Sequence, residues 1–249
     1  MKARSWHRVS CSGMKPNRAT FSALFSLCLL LFTAPAVHAL IYTFSSSDYG
    51  ATSQGPWTNS DATARAFDSA ASALGSENLI TFESAPVGPF TSLTIAPGVT
   101  LTGSSVGSLP QTIESTPQGN QGFNTTVGGT QYVYMNGGML TFTFNTPVNS
   151  FGAYFSGMEG YGVAISVNGS LRSVNLNLFG SDAGAGVQFV GFTLTGNSFS
   201  SLTLVANDDP IGVDDVRFST IVPEPTTWTL VALGAGALLG SRRLRRRSS

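Results

Sequence analysis

The chain has 249 residues, with thirteen Lys and Arg, thirteen Asp and Glu, two Cys and two His. Its zero formal charge hides a segregation: five basic residues precede residue 40 and five fall within the last eight positions. Only Arg65, Arg172 and Arg217 stand between them, among all thirteen acids. The central body therefore carries a net charge of about −10, which repels nucleic acid and excludes it as a partner.

In chain order, the first segment is an apolar run, FSALFSLCLLLFTAPAVHA. Lys15 and Arg18 precede it, Phe21 to Phe32 form its greasy centre, and Val37-His38-Ala39 places small residues at −3 and −1. This is the pattern of a secretory signal peptide over residues 1–39, cleaved after Ala39, and a start at Met14 would give a signal of ordinary length. Leu27 stands before Cys28 where a lipoprotein needs a small residue. Both cysteines, both histidines and both lysines fall in this leader. Without it, the chain has no thiol, imidazole or side-chain amine. That excludes disulfides, Cys/His zinc sites, a Ser-His-Asp triad, a Schiff base and a phosphate-loop lysine.

Residues 40–221 read as one exported domain, long enough for a single core. Near its start, SDATARAFDSAASALG predicts one short helix. Ser60 or Asp61 would be its N-cap, Ala66, Phe67, Ala70 and Leu74 part of its apolar stripe, and Gly75 its stop. It would cover an end or an edge of a sheet. Strands are expected at 79–83, 92–95, 99–102, 131–135, 140–144, 150–155, 163–167, 171–178, 187–195, 201–206 and 213–219. In these runs β-branched and aromatic residues recur with period two. Asn168-Gly169 predicts a two-residue hairpin turn, and the Gly-, Ser- and Gln-rich stretch 102–130 a long surface excursion. Strands at short spacing without alternating helices predict an all-β fold: an antiparallel, jelly-roll-like β-sandwich, with a barrel as the alternative.

The most specific local feature of the body is DDPIGVDDVRF, with Asp208, Asp209, Asp214 and Asp215 within eight residues. Strand alternation would send Asp214 and Asp215 to opposite faces, so that one carboxylate points inward and needs a partner. A structural calcium ion suits oxygen ligands outside the cell, and Glu83, at the end of LITFE, could join Asp214 and Asp215 if the first and last strands pair. Two other accounts stay open: hydrogen bonds from the backbone to an Asp at a strand end, or an ion pair of Asp215 with Arg65 or Arg172. Glu83, Glu114, Glu159 and Asp182 are available for glycoside hydrolysis, but nothing around them marks a raised pKa. Trp57, Tyr132, Tyr134, Tyr154 and Tyr161 could stack on sugar rings or simply pack. Asn124-Thr125-Thr126 and Asn168-Gly169-Ser170 match the N-glycan acceptor pattern.

The chain ends VPEPTTWTLVALGAGALLGSRRLRRRSS. Residues 226–241 carry no charge and would span about 24 Å as a helix, short of a bilayer core of about 30 Å. Trp228 suits one interface, and Leu230, Leu233, Leu238 and Leu239 supply most of the apolar affinity. Arg242, Arg243, Arg245, Arg246 and Arg247 would stay cytoplasmic. A C-terminal transmembrane helix is therefore expected.

Val222-Pro223-Glu224-Pro225, the apolar run through Leu239 and the arginine cluster resemble, as a set over 222–249, a PEP-CTERM sorting signal. The resemblance implies export in a Gram-negative bacterium, transient inner-membrane anchoring and cleavage near Pro-Glu-Pro by an exosortase. It further implies release to the cell surface or matrix in the company of exopolysaccharide and biofilm. More loosely, LITFE and GVDDVRF resemble the flanks of a structural calcium in carbohydrate-binding β-sandwich modules, here Glu83 and Asp214. The expected function is that of a non-enzymatic surface or matrix protein; the alternatives are a carbohydrate-binding module and, less favoured, a glycoside hydrolase.

Overall fold

The computed structural model describes residues 40–53, 55–105, 107, 110–119, 121–157, 163–169, 175–178, 186–221 and 234. In chain order the elements are β1 (Leu40–Asp48), α1 (Thr58–Ser72), β2 (Gly75–Ile80), β3 (Gly88–Phe90), β4 (Ser92–Ala96) and β5 (Val99–Ser104). There follow β6 (Gln111–Glu114), β7 (Tyr132–Ser156), β8 (Val163–Gly169), β9 (Asn175–Leu178), β10 (Val187–Thr195) and β11 (Phe199–Ile221). The all-β expectation with one short helix holds. The expected membrane helix does not: no helix among the described residues is long and apolar enough to cross a bilayer. Apart from Gly234, the sorting motif, the apolar run and the arginine cluster lie outside the described residues, as does the whole leader to Ala39.

Among the described residues, eleven strands form one hydrogen-bonded sheet whose main path runs β1-β10-β7-β11-β8-β9. Two long strands organise it. β7 has 25 residues and β11 has 23, and each merges what the sequence predicts as separate strands. Ser201 to Ala206 lie opposite Thr143 to Gly138, and Phe218 and Ser219 opposite Phe151 and Ser150. Both halves of each strand thus contribute to the same core. That core takes alternate residues from both, including Leu140, Phe142, Phe151, Phe155, Leu202 and Leu204, all fully buried. Burying a side chain of this size is worth roughly 1.5–3 kcal/mol.

Three expectations are corrected. Asn168 and Gly169 lie within β8, opposite Ser201 and Phe199 of β11, and are not a turn; pairing with a second neighbour extends the strand through them. The stretch 102–130 is not all surface excursion. It contains β6, which pairs with β3 and β7 and buries Gln111 and Ile113. The helix starts at Thr58, before Ser60 and Asp61, and its N-cap, Trp57, makes no side-chain capping bond.

A strand supplies the cap instead. Asp48, at the end of β1, accepts from Asn59 N through Oδ1 (3.1 Å) and from Ser60 N through Oδ2 (2.7 Å). The first N–H groups of a helix have no partner within it, and a carboxylate there also suits the helix dipole. Burial raises the Asp48 carboxyl, but the donors of Ser60 and Asn59 outweigh it and hold it below the ordinary range.

The helix then seats on β10 and β7 through Phe67, which is fully buried. Gly191 and Gly152 are cross-strand partners beneath it. A Cβ on Gly191 would come within 2.7 Å of the Phe67 ring, and one on Gly152 within 2.8 Å of the Phe189 ring and 3.1 Å of Phe67. The paired glycines form a slot that the ring fills. Phe44 and Phe189 flank it, with ring centroids 5.6 and 5.5 Å away.

Candidate functional site: a polar pocket between the helix and a carboxylate-rich bulge

Asp214 and Asp215 do not diverge as strand alternation predicts. Asp214 lies opposite Tyr154 and Arg217 opposite Gly152, so three steps on β11 match two on β7. The extra residue makes a bulge, and Asp215 takes a left-handed backbone with φ +48. Both carboxylates consequently meet the segment 124–126: Thr125 Oγ1 is 3.2 Å from Asp214 Oδ2 and 3.4 Å from Asp215 Oδ2. Phe82, just beyond the end of the β2–β11 pairing, is also left-handed with φ +60. Such strain in non-glycine residues persists only where the surroundings over-determine it, and it concentrates at functional sites.

Asp214 is almost completely buried. Its Oδ2 accepts from Thr125 N (2.7 Å), Thr126 N (3.1 Å) and Asn124 Nδ2 (3.1 Å), and its Oδ1 from Asp215 N (2.7 Å). Asn124 Nδ2 also reaches Glu83 Oε1 (3.0 Å) and Gln131 O (2.9 Å). Glu83 accepts from the N–H groups of Thr130 and Gln131, both at 2.9 Å. The structure thus brings Glu83, Asp214 and Asp215 together around one segment, as the sequence suggested. Both oxygens of Asp214 and Oε1 of Glu83 already face donors, so backbone and amide groups meet the requirement of a buried carboxylate. Among the described residues no group of three or more His, Cys, Asp or Glu is arranged to hold a metal ion. Asn124, in one of the two N-glycan acceptor patterns, points its amide at three acceptors within the fold.

Asp215 turns toward a cavity of about 670 Å³, within the range of small-molecule sites. The segment 124–129 forms one wall and α1 the other, the helix bringing Asp61, Ala64, Arg65 and Asp68. Trp57 and Tyr154 add an aromatic surface, their ring centroids 5.9 Å apart. The loop wall is pinned where Ser156 Oγ accepts from Phe123 N (2.9 Å) and donates to Phe123 O (2.7 Å). Tyr154 donates its hydroxyl to Asp61 Oδ1 (2.8 Å), and Trp57 its indole N–H to Thr52 O (3.0 Å).

Arg217 is committed on every side. Its Nε lies 3.2 Å from Asp68 Oδ1, its Nη1 donates to the Asp215 carbonyl (2.9 Å), and its guanidinium sits 5.2 Å from the centre of the Tyr154 ring. Asp215 pairs with neither Arg65 nor Arg217 among the described residues, and Arg172 lies outside them. Arg65 is exposed and makes no ion pair among them.

The other sequence candidates scatter. Tyr132 is buried and donates to the carbonyls of Thr116 and Gly122. Tyr134 bonds Gln121, and Glu114 accepts from Gln118. Glu159, Tyr161, Asp182 and the side chains of Asp208 and Asp209 lie outside the described residues. Sequence reasoning missed the helix face of Asp61, Arg65 and Asp68 and the donors of Asn124 to Thr126. The one available signal was three consecutive short polar side chains inside a glycine-rich stretch.

Two carboxyls are shifted strongly upward. Burial, and then the neighbouring Asp215, push Asp214 up to about 7. Burial, followed by the hydrogen bond to Asp68 and the charge of Asp68, pushes Glu77 up to about 7. The ordinary values are near 4, so between about pH 4 and 7 the folded chain binds more protons than the unfolded chain, and stability falls as pH rises through that window. Thermal melting is expected at a higher temperature at pH 5 than at pH 8. A melting temperature that is flat or rising over that interval would contradict the assignment.

No family model matches the chain, and no curated protein matches it. Among solved structures it is similar to family 29 carbohydrate-binding modules. A variant in complex with mannohexaose superposes with a TM-score of 0.37 and 15% identity, over 59% of this chain and 92% of that one. A variant in complex with cellulohexaose gives 0.34 and 16%, over 59% and 92%. A family 29 module without a named ligand gives 0.34 and 14%, over 61% and 97%. At these scores neither the detailed topology nor the function carries over, and the functional reading rests on the pocket itself.

Proposed function

We propose that the chain is a non-enzymatic exported all-β protein whose pocket between α1 and the segment 124–129 binds a sugar residue of an extracellular polysaccharide. The observation that carries this is the cavity lining: carboxylates, two guanidiniums, threonine hydroxyls and backbone groups surround an aromatic patch of Trp57 and Tyr154. A sugar presents alternating hydroxyl donors and acceptors on an apolar ring, and it is held by such a combination of convergent polar groups and aromatic faces. The lining favours binding over turnover because Asp61 and Asp68 already hold internal partners. Isothermal titration of the full chain with a panel of soluble oligosaccharides tests the reading. At least one should bind, and Thr126→Ala should weaken it tenfold or more. Absence of binding across neutral, acidic and amino sugars would refute it.

Export and sorting are part of the same proposal. The leader pattern ending at Ala39 and the Pro-Glu-Pro motif with its arginine cluster support a protein cleaved at both ends, the second time by an exosortase. Intact-mass measurement of protein recovered from its host should give a species beginning at Leu40 and ending near Pro225. A full-length species would contradict this.

A further inference from the structure

The sugar-site reading leaves the class of sugar open, and the pocket's charges narrow it. Three carboxylates line the cavity, those of Asp61, Asp68 and Asp215, against two guanidiniums. The positive charge is less available than that count suggests, because Arg217 is spent on Asp68, on the Asp215 carbonyl and on the Tyr154 ring. Arg65 remains, exposed on the helix. Behind Asp215 lie two further carboxyl groups, Asp214 and Glu83, tied to the same segment. Asp215 accepts from Thr126 Oγ1 at 2.8 Å and weakly from Thr125 Oγ1 at 3.4 Å, which leaves lone pairs toward the cavity. Its strained backbone holds the carboxylate there.

Resting on that reading, we infer that the pocket takes a hexosamine with a free amine, its ammonium group held by Asp215 beside the aromatic faces of Tyr154 and Trp57. A mostly enclosed carboxylate without a cationic partner is the acceptor that an ammonium group satisfies best. The Trp57 ring, which also lines the cavity, would add attraction for the same charge, whereas the Tyr154 ring already carries Arg217. Burial first, and the charge of Glu83 last, raise the Asp215 carboxyl, and the hydroxyls of Thr126 and Thr125 and the charge of Arg217 only partly offset them. The body's net negative charge would draw a cationic polysaccharide toward the site.

The test is isothermal titration of the full chain with three hexamers: glucosamine, N-acetylglucosamine and cellohexaose. The glucosamine hexamer should bind at least tenfold more tightly than the other two. Asp215→Asn, which keeps the size and one acceptor, should remove the difference. Arg65→Glu, at an exposed position that cannot unfold the chain, should strengthen glucosamine binding several-fold. Equal binding of all three hexamers overturns the amine preference while leaving the sugar site intact. Failure of the wider oligosaccharide panel to bind overturns the site itself. A preference that survives Asp215→Asn overturns the assignment to Asp215 and marks general attraction to an acidic protein. A preference that Arg65→Glu leaves unchanged or weakens overturns the placing of the ammonium group in this pocket.

Discussion

Asp214→Ala should destabilise the folded chain by about 3 to 5 kcal/mol. The side chain is the common acceptor for Thr125 N, Thr126 N, Asn124 Nδ2 and Asp215 N. Removing it strands several buried donors at once, and each orphaned donor costs roughly 1–3 kcal/mol, offset where water enters. Asp214→Asn should cost about half as much. Its carbonyl oxygen, in the place of Oδ2, can serve Thr125 N, Thr126 N and Asn124 Nδ2, but its amide would then face the Asp215 N–H. The same substitution removes one of the two raised carboxyls, so it should flatten the loss of stability between pH 5 and 8. Urea unfolding at both pH values checks this. An Asp214→Ala loss below 1 kcal/mol would mean that the segment 124–126 is not held by that carboxylate.

Phe67→Ala should cost about 3 to 5 kcal/mol, the range for deleting a buried aromatic ring. The loss should also be local. Phe67 belongs to a small cluster with Trp57, Ala64, Tyr154 and Phe189, separate from the main core of β7, β10 and β11. Hydrogen exchange should accelerate in α1 first while the long strands stay protected. Gly191→Val should act from the other side, since its side chain would start 2.7 Å from the ring. Both changes should abolish ligand binding, because α1 carries Asp61, Arg65 and Asp68 into the pocket. A Phe67→Ala chain that keeps helix protection would contradict the slot as the helix's seat.

Period-two patterning made β10 legible to the residue and gave the apolar faces of β7 and β11. It could not show that each of those is one continuous bent strand, because the junctions 136–138 and 207–212 are rich in Gly, Asn and Asp and look like turns. β1 was missed because LIYTFSSSD pairs on one side only, with β10, and stays half exposed. The sequence offered the convergence of Glu83, Asp214 and Asp215 on the condition that the LITFE strand pairs with the last one, and β2 does pair with β11, through Ile80 and Val216. The two aspartates facing one segment was not, because it depends on one positive φ at Asp215, which residue type alone does not reveal. The donors come from some ninety residues away in sequence, so no local pattern marks them.

The central claim is that the cavity between α1 and the segment 124–129 is where ligand sits. Amide chemical-shift mapping of the isotope-labelled full chain during titration with the best-binding hexamer tests it most directly. The account predicts shifts concentrated at Asn124 to Gly129, at Asp61 to Asp68, and at Tyr154 and Asp215. Shifts concentrated instead along the exposed edge of β1, with those segments unmoved, would contradict it.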